Sequence, residues 1–151
     1  MATFQTQIED LTGSVSDTAA LSSWLTDGAR SVMSILPMTI LKRVSSQDAF
    51  VNTIDVEGKR VLTVTRNDGT IDHPCREVLP SMRGRITDSS YMEYASATDP
   101  AFYIDNQLLT VKPDSSGSNQ RLTSINMSIS VAYGESSILN FPDEGENAVV
   151  L

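Results

Sequence analysis

The chain has 151 residues and a mass of 16.4 kDa, with 40% hydrophobic residues, 20% charged residues and a net charge of −8. That size is one globular domain, with apolar content for a real core. A pI near 4.4 argues against a surface that neutralises phosphates or anionic lipid, and no run approaches the ~18 apolar residues needed to span a bilayer.

The N-terminal MATFQTQIEDL lacks the basic and apolar regions of a signal peptide, so a soluble product made in the cytoplasm is expected. Cys75 is the only cysteine, which leaves no internal disulfide and no thiolate cluster for zinc. Asn126, Met127 and Ser128 spell a glycosylation sequon that, without a secretory route, reads as chance.

Phe4, Ile8 and Leu11 fall at i, i+4 and i+7 with Gly13 as a stop, so Thr3 to Leu11 reads as a short amphipathic helix. Ser14, Ser16 and Asp17 offer N-cap oxygens for a longer helix. Its apolar stripe is Leu21, Trp24, Leu25, Gly28, Val32, Ile35 and Leu36, and Pro37 ends it. On this reading Trp24 is a core or helix–helix contact. From about Val44 the period changes to two. Asn67 to Gly69, flanked by Val61 to Arg66 and a run from Thr70, predicts a hairpin, because Asn, Asp and Gly tolerate positive φ. Asp105, Asn106 and Gln107 interrupt a second pair of strand-like runs that Pro113 closes. In INMSISVAY, Ile125, Met127, Ile129, Val131 and Tyr133 alternate with small or polar residues, the clearest strand pattern in the chain.

Pro80 to Pro100 carries no period over its length, and long loops of this kind tend to be disordered or to make contacts. Arg83, Arg85, Tyr91 and Tyr94 within it are candidate interface residues, of types that concentrate binding energy. At the end of the chain Pro142, Asp143 and Glu144 suit a first helical turn, and Ala148, Val149, Val150 and Leu151 follow with no stop signal. This reads as a helix cut short, with Val149, Val150 and Leu151 expected against the Trp24 helix or a neighbouring subunit. The class is α+β: N-terminal helices, an inserted antiparallel β-domain of about six strands, and the start of a C-terminal helix that returns to the N-terminal helix. It is read as a single domain, 1–151, helical at about 3–36 and 142–151, with the β-domain at about 44–134.

No catalytic, cofactor or metal constellation emerges from the sequence. His73 and Cys75 share a strand face, yet they lack an orienting partner and an oxyanion turn, so the structural reading outweighs a nucleophile pair. Asp143, Glu144 and Glu146 read as dipole and cap residues before they read as a cation site, and RNDGTID lacks the spacing of a calcium loop. No phosphate-binding or nucleophile-elbow motif occurs.

The stretches VTRNDGTIDHPCR, ATDPAFYIDNQLLTVKP and NFPDEGENAVVL, with LTDGARSVMSILP near the N-terminus, resemble successive motifs of virion structural proteins of tailed phages, especially marine cyanophage-type phages. A helix pair interrupted by a β-domain is further similar to the head-to-tail adaptor (connector or neck) proteins that form a ring beneath the portal. That resemblance implies a virion component that is not an enzyme. It would assemble as a homo-oligomer, in a twelve-subunit ring, with a portal protein above and a tail or nozzle protein below. It implies no sequence-specific nucleic acid, no membrane and no cofactor. The different-class alternative is a peripheral virion decoration or binding module, whose β-domain contacts host or other virion proteins.

Overall fold

The computed structural model describes residues 3–117, 119–139 and 141–142. These divide into two compact units: one from the described parts of Met1–Ser45 and Ile125–Leu151, the other from Ser46–Ser124. The class is α+β.

In the first unit, helix α1 (Phe4–Thr12) starts where the Thr3 hydroxyl accepts the Thr6 N–H at 3.2 Å, and stops where Gly13 takes φ 83°. Positive φ is open to glycine because it lacks a Cβ. Helix α2 (Thr18–Ile35) is capped by Asp17, whose carboxylate accepts the Ala20 N–H at 3.0 Å, and Pro37 blocks its continuation. A single further turn, α3 (Met38–Leu41), follows.

The covered face of α2 is Leu25, Ala29 and Met33, whereas Trp24 is 68% exposed and Ile35 80% exposed. The expected stripe is thus displaced by one residue, roughly 100° around the helix. The expectation that Trp24 lies in the chain's own core is overturned. The reason is visible in what α2 faces. Its hydroxyls serve as a hydrogen-bonding edge: Thr26 Oγ1 accepts the Val131 N–H at 3.0 Å, and Ser22 Oγ accepts the Tyr133 N–H at 3.2 Å. Ser22 and Thr26 are one turn apart, and so bond to residues two apart in an extended chain.

That extended chain is the segment expected as the clearest strand. Ile125, Ile129, Val131 and Tyr133 are buried while Asn126, Ser128, Ser130 and Ala132 are exposed, so the alternation is present. Strand pairing nevertheless ends at Asn126, and residues 127–133 are not a strand. The Asn126 side chain accepts the Ser128 N–H at 2.9 Å, a local bond that competes with a ladder. The Phe4 N–H donates to the Glu135 carbonyl at 2.8 Å, and the Tyr133 hydroxyl to Glu9 at 3.4 Å, which fixes the segment to α1 as well. Ile138, Phe141 and Pro142 are buried. The expected helix over Pro142–Leu151, with its contact residues Val149, Val150 and Leu151, lies outside the described residues beyond Pro142.

The second unit holds β1 (Ser46–Phe50), β2 (Thr53–Asp55), β3 (Lys59–Asn67), β4 (Asp72–Pro74), β5 (Arg76–Glu77), β6 (Ala101–Asp105), β7 (Leu108–Lys112) and β8 (Gln120–Asn126). They form two four-stranded sheets, β1-β8-β3-β4 and β2-β7-β6-β5. Eight strands stand among the described residues where about six are expected. One extended stretch, broken at Cys75, counts as β4 in one sheet and β5 in the other, and β2 is three residues long. β5 runs parallel to β6; β1–β8, β2–β7, β3–β4 and β6–β7 are antiparallel.

Both predicted turns form. Asn67 pairs with Asp72 across the first, in which Gly69 takes φ 109°, and Asn106 and Gln107 take φ 49° and 65° in the second. Phe50, Val56, Val64, Phe102, Leu109, Val111 and Leu122 build the core of this unit. Gln120, fully buried, donates to Asn52 Oδ1 at 3.2 Å and accepts the Asn52 N–H at 3.3 Å, and Asn52 Oδ1 also accepts the Ser115 N–H at 2.7 Å. This polar knot joins the β1–β2 link to the β7–β8 loop.

Candidate interaction surfaces

The aperiodic stretch Pro80–Pro100 is built from short turns over its own small core. Ile86 and Ala95 are buried with Ala101, backed by Val78 and Tyr103, and the Ala95 N–H donates to the Ile86 carbonyl at 2.9 Å to close the loop on itself. At its base the Ser96 N–H donates to the Asp99 carbonyl at 3.1 Å and the Asp99 N–H to Ser96 Oγ at 3.0 Å.

Two arginines outside the loop hold it from the strands. Arg76 on β5 donates through Nε to the Asp99 carboxylate at 3.2 Å and through Nη2 to the Tyr94 carbonyl at 3.3 Å and to the Glu93 carbonyl. Arg66 on β3 is only 8% exposed and donates through Nη1 to the Ala97 carbonyl at 3.4 Å. Charged donors on backbone carbonyls are the stronger class of hydrogen bond, and a planar fork can serve several acceptors at once. Neither arginine is among the sequence candidates. The signal available was an arginine inside each of two otherwise strand-like runs, VLTVTRN and PCRE, where a buried charge needs acceptors.

The expected residues Arg83, Arg85, Tyr91 and Tyr94 all lie on the outward side. The Arg85 guanidinium stands 5.7 Å from the Tyr91 ring centre, in cation–π range, and 3.7 Å from Glu93. Arg83 is exposed, and its guanidinium has no partner among the described residues. Met92 beside them is fully exposed, and Leu79, Tyr91 and Tyr94 are exposed as well. Asp88 has its carboxyl held below the usual range by the Ser90 N–H and hydroxyl, which locks the turn just before Tyr91. The loop therefore presents an apolar and aromatic tip from a fixed frame.

On the first unit the corresponding surface is the outer face of α2. Trp24 and Ile35 are exposed along it, with Gly28 and Val32 half-buried between them and Leu21 half-buried one turn before Trp24, and Arg30 with Asp27 at 3.7 Å to one side.

His73 does not turn to Cys75. Its Nε2 lies 2.8 Å from Asp68 Oδ2, while the Ile71 and Thr70 N–H groups also bond that carboxylate and, with His73, hold it well below the ordinary range. Burial pushes the Cys75 thiol up to about 12. Among the described residues no group of three or more His, Cys, Asp or Glu is placed to hold a metal, and no helix is long and apolar enough to cross a membrane. No protein-family model matches the sequence, and no curated protein matches it either.

Proposed function

We propose that this chain is a non-catalytic structural component of a tailed-phage virion, and specifically a subunit of the head-to-tail adaptor ring that joins portal to tail. The observation that carries the reading is the α2 face. A tryptophan at 68% exposure and an isoleucine at 80%, aligned on one regular helix, form an apolar surface that an assembled neighbour would cover. The fixed loop tip with Tyr91, Met92 and Tyr94 supports a second contact from the other unit. A β-unit inserted between the two parts of the unit that holds α1 and α2 fits the first half of the layout the resemblance calls for, whose C-terminal helix falls outside the described residues. A net charge of −8 suits the lining of a channel through which DNA must pass without sticking.

The reading is tested by the mass of the purified chain in solution, alone and with the portal protein of the same phage, together with its position in a map of the virion. A ring-sized species that binds portal, and density at the neck, are the expected results. A monomer found on the capsid surface or at a fibre would replace this reading with the decoration-module alternative.

A further inference from the structure

β3 is nine residues long, yet β4 pairs with only Thr65, Arg66 and Asn67 of it. The last bond on that side is the Cys75 N–H to the Val64 carbonyl at 2.8 Å. Across from it, β5 pairs with only Ala101 and Phe102 of β6, and the last bond there is the Val78 N–H to the Phe102 carbonyl at 2.9 Å. Beyond these points no strand among the described residues lies between β3 and β6. Backbone groups of a strand alternate sides, so the side of each unpaired group can be assigned. Val64 bonds towards β4 while Asn67 bonds to the Asn119 carbonyl on the β8 side at 2.7 Å; Leu62, two residues before Val64, therefore aims its N–H and C=O groups into the gap. By the same parity Ile104 aims its own into the gap from β6.

The gap is a groove of about 400 Å³, lined by Val61, Leu62, Val64, Phe102 and Ile104, with Cys75 at the end where the β4–β5 stretch closes it. Among the described residues Glu77 is the only charged side chain that lines it, and it is exposed and in no ion pair with them. We propose that this groove is a docking slot for an extended segment of another polypeptide, which enters as an additional strand bonded to both β3 and β6. Its apolar side chains fill the floor at alternate positions and a lysine or arginine meets Glu77. Two strand edges supply the affinity, the apolar floor the spacing, and Glu77 the charge preference. The inference goes beyond the adaptor reading and does not depend on it.

The test uses the whole chain, labelled with nitrogen-15, and three blocked peptides: acetyl-TVKVTVS-amide, the same peptide with glutamate for lysine, and the lysine peptide N-methylated at alternate residues. In the free protein the Leu62 and Ile104 amides should exchange fast while those of Thr63 and Tyr103 are protected. The lysine peptide should shift the Leu62 and Ile104 amides, and bind about three- to fivefold more tightly than the glutamate peptide. Glu77→Gln should remove that preference, and the methylated peptide should not bind. No shift at Leu62 and Ile104 at millimolar peptide, equal binding of the methylated form, or equal binding of the lysine and glutamate peptides overturns the proposal.

Discussion

Arg76 fixes more of the Pro80–Pro100 loop than any side chain within it, because one guanidinium on β5 meets the Asp99 carboxylate and the Glu93 and Tyr94 carbonyls, 17 to 23 residues further along the chain. Arg76→Ala should cost about 1–2 kcal/mol, the scale of charge-assisted bonds lost to a partly solvated site. It should also open the loop to trypsin at Arg83 and Arg85, read by urea unfolding and by mass spectrometry of the digest. Arg76→Lys should restore little, since a point charge cannot reproduce the fork. Cys75 offers a second residue-scale test. Its thiol is raised to about 12 in the fold against ~8.5 in an unfolded chain, so near neutral pH the native thiol is protonated and a poor nucleophile. Alkylation by iodoacetamide should be far slower in buffer than in urea. A folded value above the unfolded one contributes stability that is complete below ~8.5 and is lost as pH rises towards 12.

Among the elements, α2 is where sequence and fold part most sharply, and two substitutions separate the faces. Met33→Ala, on the buried side, should cost about 2–5 kcal/mol, whereas Trp24→Ala should leave the isolated chain within about 0.5 kcal/mol of the parent. Thermal unfolding of both variants measures it. The β3–β4 hairpin turn makes a different prediction. Asp68 is held below its ordinary range by backbone N–H groups and His73, so its contribution to stability is present above ~4 and is lost as pH falls below that value. Asp68→Asn should therefore lower the urea midpoint at neutral pH, with the difference from the parent shrinking on acidification. What was legible at this scale was local chemistry: the Asp17 cap, the Gly13 stop, and the turns at Asn67–Gly69 and Asn106–Gln107 each need only a few neighbouring residues. The face of α2 was not legible, since both a Trp24 stripe and a Met33 stripe have helical spacing and only the partner segment decides between them. Residues 127–133 alternate because one side is buried, and alternation alone cannot tell a ladder from an extended chain bonded to helix hydroxyls.

For the whole molecule, the unit that holds the helices is completed by the described stretch that follows β8, and Ser46–Ser124 makes up the other compact unit. The composition anticipated one globular chain with a real core. It could not anticipate that two arginines would convert an aperiodic stretch into a fixed surface, because those bonds span up to 31 residues and depend on where the strands lie. The proposed ring requires that the exposed α2 face be covered by another subunit. Sedimentation velocity of the purified chain across a concentration series, beside Trp24→Ser and Ile35→Ser variants that retain the parent's circular dichroism and unfolding midpoint, tests it most directly. The parent should form a large discrete oligomer, its formation favoured by portal protein and suppressed by either serine. A parent chain that sediments as a monomer at every concentration, with and without portal, would contradict the proposed ring.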